Sequence, residues 1–173
     1  RGLSDVGYLD ALSLRDILRD EDIDLFISSP YKRSIETLLP TANENNKDIK
    51  IVEDLRERSI GNFSPISFQE AKHQVYTDMH FAYPFGESSV EAQKRAVKVI
   101  DTLIESNEGK KIAIGTHGDI MTLIMNNYDK HYGFDFWKST TMPDIYKLTY
   151  IDKNLIHVTR MWDSNIEEGN GIS

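Results

Sequence analysis

The chain has 173 residues, 39% of them hydrophobic and 28% charged, which fits one α/β domain built around a single core. Its formal net charge of −8 argues against nucleic acid as a partner, because nucleic-acid binding depends on clustered Lys and Arg. The sequence has no cysteine, which excludes disulfides, thiolate catalysis and Cys-based zinc sites, and it has no apolar run of the ~20 residues that cross a bilayer. We therefore expect a cytoplasmic protein without a membrane partner.

Apolar spacing predicts helices and strands in alternation through the first half of the chain. An amphipathic helix should begin at Ser4 or Asp5 and carry Val6 and Leu9 on its apolar face. A strand over residues 23–27, a helix from about residue 31 and a strand over residues 49–52 follow. Pro40 should kink or end the second helix near residue 39, because proline cannot donate a backbone hydrogen bond.

The pattern weakens between residues 62 and 87, where a helix over 68–78 is the main signal, and we interpret this stretch as a cap or lid over a site. A capping box of Ser88 and Glu91 then begins a long helix that Gly109 ends. Its expected core-facing residues are Val90, Val97, Ile100 and Ile104.

The last third predicts a buried strand over residues 111–116, a helix from residue 120 with Asp119 as its N-cap, and a hairpin of strands 145–151 and 155–161. We place a single domain at residues 1–163, with the cap (62–87) inserted in it and a polar tail at 164–173. Alternating strands and helices predict a three-layer α/β/α sandwich with a mostly parallel central sheet and the hairpin at one edge.

Ligands of such sheets bind beyond the carboxyl ends of the strands, so the turns that follow strands are the first candidates for a site. After the first strand, Lys32 and Arg33 enter the first turn of a helix, where a cation costs about 0.3–1 kcal/mol against the helix dipole. A bound anion would reverse that sign. A surface ion pair of Arg33 is the alternative.

Two further turns carry candidate residues. His117 and Gly118 lie between a strand and a helix, where the imidazole could donate to a phosphate and the glycine could let the backbone approach it. A lone histidine more commonly bonds within its own turn. Glu57 lies between Arg56 and Arg58, which is typical of a surface ion network. If Glu57 points into a cleft instead, burial would raise its pKa and make it a candidate proton donor.

Together these segments resemble the histidine phosphatase superfamily, the phosphoglycerate-mutase-like fold. The similar segments are Leu3 to Gly7, Ser28-Ser29-Pro30 with Arg33 and Thr37, Leu55-Arg56-Glu57 with Gly61, Gly86-Glu87-Ser88 with Arg95, and Thr116-His117-Gly118. The resemblance implies catalytic roles for Arg33, Glu57 and His117. It also implies substrate-binding roles for Glu87, Ser88 and Gly118.

The resemblance further implies a phosphohistidine intermediate, a small phosphorylated metabolite as substrate, and no metal or other cofactor. The nucleophilic histidine of this family belongs to an Arg-His-Gly or Arg-His-Ala triplet on its first strand, and this sequence contains no Arg-His pair. Loss of a central strand would leave buried backbone groups unpaired at about 1–3 kcal/mol each. We therefore expect the natural protein, or another chain, to supply that strand.

Three other functions are compatible with the sequence. A catalytically inactive phospho-ligand binding module would keep the cationic residues without the nucleophile, and a phosphoglycerate-type mutase would need a more elaborate cap. A serine hydrolase could combine Ser28 or Ser29 with His117 and Asp119, although the Gly-x-Ser-x-Gly elbow is missing. A homodimer is possible in each case.

Overall fold

The computed structural model describes residues 1–162. Helices and strands alternate through most of this range, as the apolar pattern predicts. In chain order the elements are α1 (Asp5–Leu18), β1 (Leu25–Ser28), α2 (Lys32–Glu44), β2 (Ile49–Ile51), a 3₁₀ helix (Glu53–Leu55), α3 (Phe68–Thr77), α4 (Ser89–Ser106), β3 (Ile112–Gly115), α5 (Gly118–Asn126), α6 (Phe134–Ser139), β4 (Tyr146–Ile151) and β5 (Asn154–Arg160).

The parallel sheet has β1 at its centre, with β2 on one side and β3 on the other. Ser28, the last residue of β1, is in register with Ile51 on β2 and with Gly115 on β3. The three strands therefore end at the same edge of the sheet. The segment that follows each strand leaves from that edge, which is where ligands of parallel sheets bind.

The chain has the mixed α/β fold that the sequence predicts, with helices on both faces of the sheet. One core cluster includes Leu14, Phe26 and Leu38 and packs against Ala113 of β3. A second cluster contains Ala96 and other residues of α4 and α5 and packs against Ile114 of the same strand. Neighbouring residues of a strand point to opposite faces, so the two clusters cover the two sides of the sheet.

The hairpin of β4 and β5 forms its own antiparallel sheet instead of extending the parallel one. A cleft of about 1520 Å³ separates the two sheets, and its walls include Ile112 and Ile114 of β3 and Tyr146 and Leu148 of β4. Within residues 1–162, β3 pairs with β1 alone and β4 with β5 alone. Every residue of β3 is consequently half-exposed, whereas the sequence predicted a buried strand.

Two early helices differ from their predictions in detail. The buried face of α1 consists of Ala11, Leu14 and Leu18, whereas Val6 and Leu9 are 68% and 60% exposed. Helix α2 continues through Pro40 to Glu44. The backbone of the preceding turns already fixes the helical path, so the cost of the missing N–H does not end the helix.

The predictions for the long helix α4 are confirmed in part. The capping box of Ser88 and Glu91 is confirmed. The residues that α4 buries most deeply include Ala92, Ala96 and Ile100, whereas Val90, Val97 and Ile104 are half-buried, because small side chains allow α5 to approach closely. The predicted tail at 164–173 lies outside the described residues. No helix within residues 1–162 has the length and apolarity of a membrane span.

Candidate active site

Three side chains meet where the segments leave the carboxyl edge of the sheet. Arg33 lies in the first turn of α2, directly after β1, and Glu57 follows the 3₁₀ helix beyond β2. His117 is the N-cap residue of α5, directly after β3. Thr116 ties two of these segments together, because its Oγ1 donates to the carbonyl of Leu55 at 2.9 Å.

The distances place the three groups around one point. Arg33 Nη2 lies 3.3 Å from His117 Nδ1, and Glu57 Oε2 lies 4.0 Å from the same nitrogen. The guanidinium, imidazole and carboxyl that the sequence singled out therefore face one another. Neither carboxylate oxygen of Glu57 is within bonding distance of Arg33 among the hydrogen bonds and ion pairs of the described residues.

The second ring nitrogen of His117 contacts Ser29, a pairing that the sequence suggested only for a serine hydrolase. Nε2 lies 2.9 Å from the hydroxyl of Ser29, the residue after β1. Because Arg33 can only donate, Nδ1 must accept, so Nε2 carries the hydrogen and donates it to Ser29. The ring of Tyr31 packs edge-on against the imidazole, with 4.9 Å between centroids. These contacts hold one tautomer and one ring orientation.

This environment keeps His117 neutral. Its side chain is only 4% exposed, and burial lowers its pKa to about 4, with further lowering by the charges of Arg33 and Arg95. Asp119 opposes this shift with a smaller effect. At neutral pH the ring therefore acts as a hydrogen-bonding group rather than as a cation, as its place at a helix N-terminus also favours.

Glu57 is shifted in the opposite direction. Burial, followed by the negative charge of Asp119, raises its pKa to about 7, while Lys72, the backbone N–H of Arg58 and Arg33 act against this rise. The side chain keeps 28% of its surface exposed. A carboxyl group with a pKa near neutrality that still reaches solvent can both donate and accept a proton, which is what general acid and base catalysis requires.

A cavity of about 480 Å³ opens beside Glu57. Its lining includes Tyr31, Arg56, Phe85 and two further carboxylates, Glu87 and Glu91. Both oxygens of Glu87 accept from the guanidinium of Arg95 at 2.8 Å. The charge of Arg95 therefore offsets the charge of this carboxylate in the cavity wall.

Two glycines bring the walls of this cavity together. Gly61 has a φ of +85°, and a Cβ there would lie 2.4 Å from the carbonyl of Pro84. A Cβ at Gly86 would lie 2.3 Å from the carbonyl of Ile60. The two segments therefore approach to backbone contact, and Glu87 N–H donates to the carbonyl of Ser59 at 2.8 Å. This contact fixes Glu87 relative to Glu57.

The other two residues predicted to bind substrate have structural contacts. The Ser88 hydroxyl accepts from Glu91 N–H at 3.2 Å, and the side chain is only 5% exposed, so it serves the capping box of α4. Gly118 begins α5, and a Cβ there would lie 3.0 Å from Thr140 Oγ1. Their part in substrate binding stays a prediction.

Asp119 does not cap α5, contrary to the sequence interpretation. His117 is the N-cap residue, with no side-chain capping bond, and Asp119 lies within the helix. Its carboxylate points away from the helix end and accepts from Arg58 at 2.9 Å through both of its oxygens. Arg58 lies 61 residues earlier in the chain, so local sequence could not reveal this pair. Among residues 1–162, no cluster of three His, Asp or Glu side chains could hold a metal ion.

Solved structures with this fold include several phosphatases. A histidine-to-alanine variant of Entamoeba histolytica phosphoserine phosphatase, bound to phosphoserine, aligns with a TM-score of 0.74 and 17% identity over 90% of this chain and 81% of that chain. YhfR of Bacillus stearothermophilus gives 0.71 and 21% over 91% and 83%. The mycobacterial glucosyl-3-phosphoglycerate phosphatase gives 0.65 and 18% over 81% and 73%.

These identities are low enough that the alignments establish the fold alone. No curated protein sequence matches the chain. The family model described as histidine phosphatase superfamily (branch 1) matches residues 2–155, which is most of the chain and includes all three turns of the site. The convergence of these turns and the extent of the match lead to one conclusion: the chain belongs to the histidine phosphatase superfamily.

Proposed function

We propose that this protein hydrolyses small phosphomonoesters through a phosphohistidine intermediate. The observation that carries the proposal is the meeting of Arg33, Glu57 and His117 at one edge of the sheet. Arg33 supplies a fixed positive charge and the neutral His117 a hydrogen-bonding ring, so together they suit the equatorial oxygens of a phosphoryl group. Glu57 supplies the proton that a leaving alkoxide needs.

The reaction balances in two steps. A histidine nitrogen attacks phosphorus and the bond to the leaving oxygen breaks, while Glu57 gives its proton to that oxygen. Water then attacks the phosphohistidine as Glu57 takes a proton from it, the P–N bond breaks, and phosphate leaves. The pKa of Glu57, raised to about 7 chiefly by burial, allows the same carboxyl group to serve in both steps.

We place the nucleophilic histidine on a further β-strand seated in the cleft between β3 and β4. Both strands turn an edge toward that cleft, and backbone groups at such edges need hydrogen-bond partners. Arg33, Glu57 and His117 themselves contribute to the lining of the cleft. A strand parallel to β3 would thus present the residue at its carboxyl end to these three side chains.

Binding of phosphate to this 173-residue chain tests the anion site without any turnover. We expect orthophosphate, titrated by calorimetry, to bind the unaltered chain and a Lys32→Ala variant equally. Lys32 is the matched control because it neighbours Arg33 but is 70% exposed and pairs with Glu36. Arg33→Ala should lose at least tenfold in affinity, since it removes a charge-assisted contact. Equal binding by both variants would refute the assignment.

The nucleophile is tested in protein that includes the proposed further strand. Hydrolysis of p-nitrophenyl phosphate, inhibited by vanadate, should be accompanied by a phosphoenzyme that survives base and is lost in acid, as a phosphohistidine is. Phosphate binding without hydrolysis would instead identify an inactive binding module. A phosphoenzyme stable in acid would contradict a histidine nucleophile.

A serine hydrolase has one observation in its favour, the 2.9 Å contact between Ser29 and His117. Two features oppose it. Arg33 contacts the other ring nitrogen and helps to keep the pKa of His117 near 4, chiefly set by burial, so the ring is a poor base. Ser29 is also fully buried. Loss of ester cleavage on treatment with a serine-directed inhibitor would support this alternative.

A mutase acting on bisphosphates is disfavoured by the charges around the 480 Å³ cavity. Arg56 is the basic residue of its lining, and it contacts Asp54 at 3.2 Å. The cavity also contains Glu91, whose carboxylate would repel a second phosphate, whereas Glu87 is already paired with Arg95. We therefore propose hydrolysis of monophosphates, with Glu87 forming part of the wall of the leaving-group cavity.

A further inference from the structure

A buried ionic network lies behind the candidate active site. The guanidinium of Arg58 donates to both oxygens of Asp119 at 2.9 Å and to the hydroxyl of Ser89 at 2.6 Å. That hydroxyl donates in turn to the carbonyl of Val75 on α3 at 2.5 Å. The side chains of Arg58 and Asp119 are 0% and 1% exposed, so this is a fully enclosed ion pair.

Two residues of α3, one turn apart, join the same carboxylate. Tyr76 donates its hydroxyl to Asp119 Oδ1 at 2.6 Å, and the ammonium of Lys72 bonds to Oδ2. The ammonium also lies 5.5 Å from the centre of the Phe68 ring and 5.3 Å from that of Trp137 on α6. Only 4% of the Lys72 side chain is exposed, so its ammonium bonds within the network and not to solvent.

The composition of the network indicates a purpose other than stability. Two cations, Arg58 and Lys72, face the single carboxylate of Asp119, so one positive charge is left uncompensated among these three groups. Buried ion pairs often contribute no more stability than a well-packed apolar cluster of the same volume. An excess charge in a buried position is costlier still.

The network reaches the site through the backbone at two points. Arg58 directly follows Glu57 in the chain, and its N–H donates to Glu57 Oε1 at 2.9 Å. Asp119 lies two residues after His117 and belongs to the first turn of α5. The Arg58–Asp119 ion pair therefore holds the segment that carries Glu57 against the segment that carries His117.

We propose that Asp119 and Lys72 are positioning residues that hold Glu57 and His117 in register, couple them to α3, and act on Glu57 through their opposite charges. Charged and titratable groups face Glu57 from each neighbouring element. They are Arg33 from α2, Lys72 from α3, His117 from the turn after β3 and Asp119 from α5. The cavity beside Glu57 adds Tyr31, Arg56, Glu87 and Glu91.

The two positioning residues act on Glu57 with opposite signs. Removing the negative charge of Asp119 relieves repulsion of the Glu57 carboxylate, so the pKa of Glu57 should fall. Removing the positive charge of Lys72 takes away an attraction, so the pKa of Glu57 should rise. A network whose charges did not act on Glu57 would produce neither shift, and a loss of packing alone would not give the two variants opposite signs.

The test is a pH titration of the Glu57 carboxyl by NMR in ¹³C-glutamate-labelled chain, with the resonance assigned by Glu57→Gln. Asp119→Asn should lower the midpoint and Lys72→Met should raise it, each by on the order of one pH unit. Val75→Ala is the matched control, because it damages the packing of α3 without changing a charge; Val75 is fully buried. Its midpoint should stay at that of the unaltered chain.

Shifts of the same sign in both charge variants, no shift in either, or an equal shift in Val75→Ala would overturn the proposal. If Asp119→Asn does not fold, Lys72→Met alone decides, because a midpoint that does not rise contradicts the charge effect. The titration needs neither substrate nor nucleophile. It can therefore fail while phosphate hydrolysis holds, or succeed while phosphate hydrolysis fails.

Discussion

Two groups of charged side chains lie within the same part of the molecule and are held in different ways. Arg33, Glu57 and His117 meet at 3.3 and 4.0 Å, without a closed ion pair between guanidinium and carboxyl. Arg58 and Asp119 form a two-pronged pair at 2.9 Å with every side-chain contact buried. We call Arg33, Glu57 and His117 the open group, because the Arg33 guanidinium can still bind an anion. We call Arg58 and Asp119 the closed group, because they bond to each other and to buried protein groups.

This difference distinguishes an arginine that can bind a ligand from one that holds the protein structure in place. Within residues 1–162, the guanidinium of Arg33 contacts the neutral imidazole of His117 and the ring of Tyr31 but pairs with no carboxylate, so it can take an oxyanion without breaking an ion pair. A guanidinium that is saturated by a carboxylate cannot do so without leaving a buried charge unpaired. The position of Arg33 and Arg58 after strands does not distinguish them, and only the resemblance to the histidine phosphatases singled out Arg33.

The largest effect should come from the proton donor of the open group. In protein that includes the proposed further strand, Glu57→Gln should lower kcat/KM for an alkyl phosphate by 10²- to 10⁴-fold, the usual contribution of a general acid. Affinity for orthophosphate should change much less, since glutamine keeps the shape of the side chain and removes only its proton chemistry. Steady-state kinetics and calorimetry measure the two quantities. Small and equal effects on both would remove Glu57 from the site.

Breaking the pair of Arg58 and Asp119 should have the larger effect on stability, because it leaves a buried charge without its partner. Arg58→Met leaves Asp119 with part of its partners in a buried position and should reduce the free energy of unfolding by about 3–5 kcal/mol. Arg33→Met should change it by no more than about 0.5 kcal/mol, because that side chain pairs with no carboxylate among the described contacts. Urea denaturation of this chain compares the two. A larger loss from Arg33→Met would erase the distinction between the groups.

The pH dependence of kcat/KM provides a third comparison. Burial, followed by Asp119, raises the pKa of Glu57 to about 7, so the acid form needed for the first step is lost above that pH. For an alkyl phosphate we expect kcat/KM to fall roughly tenfold per pH unit above about pH 7. With p-nitrophenyl phosphate, whose leaving group departs as a stable anion, the fall should be much shallower. Parallel profiles for both substrates would contradict the role of Glu57.

Sequence could predict the open group because its residues follow strands. The ends of parallel strands lie at one edge, so Arg33, Glu57 and His117 were expected to converge from chain order alone. The fold class follows from the same alternation of strands and helices. What the apolar pattern could not indicate was the separation of β4 and β5 from the parallel sheet, because strand patterns do not specify which strand lies beside which.

The closed group could not be predicted from sequence, because its partners lie far apart in the chain. Asp119 was expected to cap α5, which is the usual role of aspartate at a helix start. Its carboxylate instead binds Arg58 and Lys72, which lie 61 and 47 residues away in sequence. Long-range pairing overrode the local preference, since the buried cations gain more from the carboxylate than the end of the helix would.

The smallest effect should come from Ser29, which contacts the open group without belonging to it. Ser29→Ala removes the acceptor of the His117 Nε2 hydrogen, a contact of 2.9 Å. The net value of one hydrogen bond is about 1 kcal/mol, so kcat/KM should fall about fivefold. Arg33 would still hold Nδ1, and a bound phosphate oxygen could accept from Nε2. Complete loss of activity in steady-state assays of Ser29→Ala, with phosphate binding intact, would instead assign the nucleophile to this serine.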